Sequence, residues 1–301
     1  EELARLDADG PFWCRPGPRP PAGAWAVWLF LGGRGAGKTF AGASWVVEQA
    51  HAQQRRALAL VGPDFHHVRE VMIEGPSGIV RLAGGDARYQ PTRRRVEFTN
   101  GAIASAFSAE DPEALRGPEF DGGWGDELCY WPDPQGLLDT LALGVRQGDD
   151  RRLVLTTTPR PIGALRALLA RPDVRTTRSA TVDNAANLSA GFLAGLATRY
   201  AGSAYARQEL EGVLIEDPEG ALWQRALIEG QQPPEAPAFE RVVVAIDPPA
   251  GIGPTADACG IIAAGRYRTG VAAHAVVLAD HSVRGARPEV WARRAAALAE
   301  P

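Results

Sequence analysis

The chain predicts an α/β fold with a mostly parallel sheet, followed by a second, β-rich unit. Three observations carry this. Short apolar runs alternate with helix-forming segments across residues 25–170. A glycine-rich loop with a lysine stands between the first apolar run and the first helix. Valine-rich and other β-forming runs resume only after the proline-rich QQPPEAP at 231–237.

Composition narrows the class. A chain of 301 residues has room for two domains, and 45% hydrophobic with 23% charged residues is ordinary globular usage. The net charge of −4 excludes a bulk polycation, so any nucleic-acid contact must come from a local patch. Cys14, Cys129 and Cys259 form no CxxC, which excludes a disulfide scaffold or zinc ribbon and suits a reducing compartment. Neither a membrane span nor a signal peptide is expected: the longest apolar runs are short, and the opening EELARLDADG is acidic.

The elements follow in order. Residues 1–24 are rich in Pro and Gly and read as an extended leading segment. Trp25–Leu31 reads as a buried strand, residues 39–54 as an alanine-rich helix, and Ala57–Val61 as the next strand. From Arg94 to Phe107 two strands flank Asn100-Gly101, a strong hairpin signal. Phe120–Glu127 and Leu153–Thr158 read as strands, and 135–143 and 162–170 as helices. Helices are expected at 192–206 and 208–214, and then the linker. Strands follow at 241–246, 259–264 and 271–279, with an amphipathic helix at 288–300. The domain boundaries expected from this are 1–180, 181–238 and 239–301.

Gly32-Gly33-Arg34-Gly35-Ala36-Gly37-Lys38-Thr39 matches GxxxxGK[ST] between a strand and a helix, the P-loop context. Glycines let backbone N–H groups curl around phosphate oxygens, and the helix N-terminus adds the positive end of its dipole. Lys38 is the single lysine among 32 basic residues. A compact ammonium enters such a loop where a planar guanidinium does not. The motif predicts ATP binding, with Lys38 on the β- and γ-phosphates and Thr39 on Mg²⁺.

Asp126-Glu127 ends the strand FDGGWG. An aspartate there assists Mg²⁺, and an adjacent glutamate marks P-loop ATPases of the additional-strand class, where it polarises the attacking water. Thr156–Thr158 ends the next strand in hydroxyls, and Thr158 is placed with the nucleotide-binding residues. Arg116, and Arg34 inside the loop, are both candidates for an arginine that stabilises γ-phosphate charge on a neighbouring subunit; each also reads as a surface arginine. Asp247 ends the strand VVVAI, as the first carboxylate of an RNase H-like domain would. That fold clusters acids around two divalent metals, Mg²⁺ or Mn²⁺. Asp257 and Asp280 read as further acids or as turn residues, and His274 and His281 as ordinary strand and turn residues. Arginines at 93–95 and the seven between Arg151 and Arg178 suit either phosphate backbones or subunit interfaces.

Taken together, WLFLGGRGAGKTFAGASWV (28–46), LRGPEFDGGWGDELCYW (115–131), LVLTTTPRP (153–161), DNAANL (183–188), RQELEG (207–212), GALW (220–223) and VVVAIDPPAG (242–251) resemble one family. It is the large terminase subunit of tailed bacteriophages and phage-like gene transfer agents. The resemblance implies an ATPase that drives double-stranded DNA through a portal into a procapsid, joined to a nuclease that cuts the concatemer. Lys38 and Thr39 would bind ATP–Mg²⁺, Asp126 assist the metal, and Glu127 serve as catalytic carboxylate. Arg116 would be the trans-acting finger, Thr156–Thr158 the coupling motif, and Asp247 the first nuclease acid, with the remaining acids beyond Pro301. Implied partners are a portal protein, a small terminase subunit and further copies in a ring. The implied location is the cytoplasm of a bacterial host. Relatives tend to carry a glutamine for adenine ahead of the loop; Pro18 stands in that stretch here. The alternative is a helicase or DNA-stimulated translocase without nuclease activity, which would carry a second motor core or helicase motifs in the C-terminal region.

Overall fold

A computed structural model describes residues 19–52, 54–148, 150–200, 204–215, 223, 225–231, 238–251 and 256–299. The leading segment up to Pro18 and most of the 231–237 linker lie outside the described residues, as does much of GALW. The chain divides into two compact units, Glu1–Ala221 and Leu222–Pro301.

The first unit is built on an eight-stranded sheet. Its strands are β1 (Val27–Gly32), β2 (Ala57–Gly62), β3 (Ala87–Gln90), β4 (Arg95–Phe98), β5 (Ile103–Ser108), β6 (Gly122–Asp126), β7 (Arg152–Thr157) and β8 (Val174–Ser179). The order is β3-β4-β5-β2-β6-β7-β1-β8. The pairs from β5 to β8 are parallel, while β3-β4 and β4-β5 are antiparallel. The strand β7 is inserted between β1, which leads into the glycine loop, and β6, which ends in Asp126. That insertion defines the additional-strand class.

Both faces of the sheet are covered, which explains why its central strands are continuous apolar runs rather than alternating ones. Trp28, Phe30, Leu58, Leu60, Trp124 and Val154 point into one core. Leu29, Leu31, Ala59, Val61, Leu153 and Leu155 point into the other. The helix Lys38–His51 lies on the first face with Gly42 against β6. A Cβ at Gly42 would come within 2.1 Å of the Trp124 ring, so only glycine lets the helix sit this close.

The same crowding accounts for the low aliphatic content of GGWGD. A Cβ at Gly122 would meet Arg55 at 2.6 Å, and one at Gly125 would meet the Trp131 ring at 2.7 Å. The neighbours supply the bulk that the strand lacks.

Most segments lie where the sequence placed them, with three refinements. The strand before Asp126 starts at Gly122, because Phe120 contributes only an isolated bridge to Val145. The helix expected over 208–214 runs instead as Ala204–Glu211 and stops where Gly212 turns to φ +63°. The edge strands β3 and β8 are additions to the expected elements, since neither carries a strict alternation in sequence.

In the second unit, β9 (Arg241–Asp247), β10 (Ala258–Thr269) and β11 (Ala272–Asp280) form an antiparallel meander in the order β9-β10-β11. A two-residue strand, β12 (Val283–Arg284), also pairs with β10. The helix Pro288–Ala299 packs Ala295 on Cys259 and Ile261, with Trp291 and Leu298 alongside.

Candidate nucleotide-binding site

Parallel strands end on the same edge of a sheet, and ligands of open α/β sheets bind at that carboxyl edge. Here β1, β7 and β6 are adjacent, with Leu31 level with Thr157 and Asp126 level with Thr156. This register brings three separate sequence segments together: the glycine loop, Asp126-Glu127 and Thr156–Thr158.

Lys38 is buried and sits at the centre. Its Nζ donates to Thr158 Oγ1 at 3.0 Å and to the carbonyl oxygens of Gly32 and Gly33 at 3.2 Å each. Glu127 Oε1 lies 3.4 Å away. The other Glu127 oxygen accepts from the backbone N–H of Thr158 at 3.2 Å. Ammonium, carboxylate and hydroxyl thus form one closed cluster. Burial pushes the Glu127 carboxyl above its ordinary range; Lys38 opposes the shift and Asp126 reinforces it.

Glu127 itself has φ +51° and ψ +47°, a left-handed conformation. It costs a non-glycine residue about 1–2 kcal/mol. The surroundings hold it there: Tyr130 N–H donates to the Glu127 carbonyl at 2.8 Å, and the Trp131 indole donates to the Asp126 carbonyl at 2.9 Å.

Gly37 caps the helix Lys38–His51 with φ +90°, and no side chain caps its first turn. Its leading N–H groups therefore point at the loop without a side-chain partner, the arrangement that receives phosphate. Thr39 stands on that first turn, partly exposed. Its hydroxyl and the Asp126 carboxylate are hard oxygen donors, a set that fits Mg²⁺.

Asp126 is 1% exposed. One oxygen accepts from the Thr156 hydroxyl, which in turn accepts from the Trp124 indole at 2.9 Å. The other lies 2.9 Å from His67 Nε2. Burial by itself would lower the His67 pKa, but the Asp126 hydrogen bond and the charges of Asp126, Glu127 and Asp64 raise it above 6.5. No local pattern in the sequence singles out His67. It sits 59 positions from its partner, in a short helical turn (Phe65–His67) just beyond β2.

Residues 181–188 and 204–212 close on the glycine loop. Thr181 Oγ1 donates to the Arg34 carbonyl at 2.7 Å, Asn184 Nδ2 to the Gly35 carbonyl at 2.8 Å, and Arg34 N–H to the Glu209 carbonyl at 2.6 Å. A Cβ at Gly33 would lie 2.2 Å from the Leu210 carbonyl oxygen. The DNAANL and RQELEG segments therefore serve as the wall of this loop.

The remaining sequence-predicted residues lie elsewhere. Arg34 is exposed in the loop, and its side chain points into none of these bonds. Arg116 is exposed after a short turn and pairs with Glu113 at 3.0 Å. Ala36 is fully buried. In the second unit Asp247 is exposed at the end of β9, opposite Gly260 in register. Among the described residues no three His, Cys, Asp or Glu side chains gather to hold a metal ion. Asp280 caps the turn through Ser282 N–H at 2.9 Å. Asp247 by itself therefore does not make a two-metal centre.

Comparison with known proteins places this geometry. The family model described as terminase large subunit, T4likevirus-type, N-terminal, matches residues 29–229. No curated protein matches the chain. Among solved structures, the ADP complex of a large terminase from a thermophilic bacteriophage aligns with a TM-score of 0.54 at 12% identity, covering 98% of this chain and 72% of that one. The large terminase of bacteriophage HK97 aligns with a TM-score of 0.52 at 14% identity, covering 91% and 60%. At such identities the likeness speaks for the fold.

Proposed function

The chain belongs to the large terminase family, and on that premise we propose that its first unit is the ATP-hydrolysing motor of double-stranded DNA packaging. One observation carries the reading: Lys38, Glu127 and Thr158 meet in a closed cluster beneath an uncapped helix N-terminus.

The chemistry follows from the cluster. ATP phosphates settle against the N–H groups at the start of the helix Lys38–His51, which no side chain caps, and Lys38 exchanges its carbonyl partners for the β- and γ-oxygens. Thr39 and Asp126 would hold Mg²⁺, whose charge would offset that of the phosphates. Glu127, freed from Lys38, orients the attacking water; burial holds its carboxyl above the ordinary carboxylate range, which favours its taking a proton. Thr158 touches both Lys38 and Glu127, so the presence or loss of the γ-phosphate reaches β7 directly. The wall formed by residues 181–188 and 204–212 would carry that change outward.

Arg116 is exposed and so available to a neighbouring copy, which supports a ring in which it completes the next subunit's site. A portal protein, a procapsid and a small terminase subunit are the partners this role needs, in the cytoplasm of a bacterial host. Among the described residues no helix is long and apolar enough to cross a membrane.

We extend the proposal to the second unit as the start of an RNase H-like nuclease using Mg²⁺ or Mn²⁺. The antiparallel meander with a carboxylate ending its first strand supports it. The same meander is unlike the parallel core of a second motor, which disfavours a two-core helicase. The ATPase half is tested with Glu127→Gln, which keeps shape and removes the charge. Steady-state ATP turnover is expected to fall at least about 100-fold with nucleotide binding retained; unchanged turnover sinks the motor. Plasmid cleavage with Mn²⁺ by the full gene product beside its Asp247→Asn variant tests the other half.

A further inference from the structure

We infer that His67 is a positioning residue for Asp126: with Thr156 it engages both carboxylate oxygens and fixes the plane in which Asp126 meets the nucleotide-bound cation. The inference rests on the ATPase reading above.

A carboxylate that is 1% exposed must find its donors inside the protein, since water does not reach it. Among the described residues Asp126 has two side-chain partners, and they differ in origin. Thr156 belongs to β7, level with Asp126 in the strand register. His67 comes from the opposite side, off the end of β2, the other neighbour of β6. The carboxylate is thus braced between the two strands that flank its own. With Thr156 alone, it would remain free to swing about its Cβ–Cγ bond.

His67 is itself held. Its backbone N–H donates to Asp64 Oδ1 at 2.7 Å, capping the turn Phe65–His67. Gly62 leaves the ring its seat: a Cβ there would stand 3.1 Å from His67 Cδ2. A ring seated by a cap and a glycine, with its Nε2 on a buried metal-facing carboxylate, resembles the outer-shell partners that orient metal ligands. The ring is only partly buried, with 23% of its side-chain surface exposed.

The test separates cation-dependent binding from nucleotide binding as such. A fluorescent N-methylanthraniloyl ATP is titrated into wild type, His67→Ala and His67→Gln, in Mg²⁺ and in EDTA, alongside kcat and KM for ATP. In His67→Ala, affinity in EDTA stays within about twofold of wild type. The gain in affinity from Mg²⁺, and kcat, each fall about 10- to 100-fold, as for other outer-shell partners. Glutamine, whose amide nitrogen reaches the place of Nε2, restores both to within about threefold. His67→Leu fills the ring's volume without a donor and replaces alanine if that variant does not melt cooperatively. An unchanged Mg²⁺ gain, an equal loss in EDTA and Mg²⁺, or glutamine no better than leucine overturns the inference. A wild-type protein with neither Mg²⁺-dependent binding nor turnover would instead sink the ATPase reading itself.

Discussion

The hydroxyl of Thr156 is the keystone of the buried polar chain at the site, and Thr156→Val tests it with almost no change of shape. Thr156 is 0% exposed. Its hydroxyl accepts from the Trp124 indole at 2.9 Å and donates to Asp126. Valine removes both bonds. The stranded indole N–H costs about 1–3 kcal/mol, and the lost bond to a charged acceptor about 1.5–3 kcal/mol. The added methyl recovers about 0.8 kcal/mol. The net loss is about 2–5 kcal/mol, which at about 2–4 °C per kcal/mol for a domain of this size lowers the melting point by about 4–20 °C. Calorimetry of wild type, Thr156→Val, Trp124→Phe and the double variant separates the bond from the packing. With the acceptor already gone, removing the indole should cost about 1–2 kcal/mol less than in wild type. Thr156→Ser keeps the hydroxyl and should recover most of the loss. Additivity within about 0.5 kcal/mol, or serine as damaging as valine, would refute the network.

Three further outcomes follow from the same geometry. Gly42→Ala should destabilise by about 1–3 kcal/mol despite alanine's better helix propensity, because the new methyl meets the Trp124 ring; a raised melting temperature would contradict the packing. Gly33→Ala should break the seat of Leu210 on the glycine loop, raising proteolytic nicking within 204–212 and weakening ATP binding; an unchanged digestion pattern would show the contact to be dispensable. The folded pKa of His67 lies above its unfolded value, so its ionic contribution is fully present below pH 6.5 and fades as pH rises through the folded pKa. In metal-free buffer, the stability advantage of wild type over His67→Gln should therefore be largest in mild acid and shrink toward alkaline pH. A pH-independent difference, measured by denaturant titration, would remove the charged pair.

Much of the site was legible before any tertiary contact was known. The glycine loop is a local device: its spacing, its flanking strand and helix, and its lone lysine all lie within a dozen or so positions. Asp126-Glu127 and the threonines at 156–158 were legible as strand ends for the same reason. Short apolar runs place the central strands, and alanine-rich or amphipathic stretches the long helices, since both signals are local. The edge strands β3 and β8 escaped because one face of each meets solvent and their arginines and threonines obey no strict alternation.

What the sequence by itself determined was therefore the list of parts: a glycine loop with a lone lysine between strand and helix, an acidic strand end, a hydroxyl strand end, and a second β-rich unit opening on Asp247. Which parts touch was decided only by the tertiary structure. The insertion of β7 between β1 and β6 puts Thr158 between Lys38 and Glu127. The order of strands in a sheet follows from how two apolar faces are covered at once, and no window of sequence encodes it. The glycines of β6 look like a weak strand until Arg55, Trp124 and Trp131 are seen filling the space around them. His67 looks like a surface histidine until β2 and β6 become neighbours and its ring meets a buried carboxylate. A hydrogen bond across 59 positions leaves no periodicity behind, because its energy depends on burial and distance, which exist only after the sheet has formed.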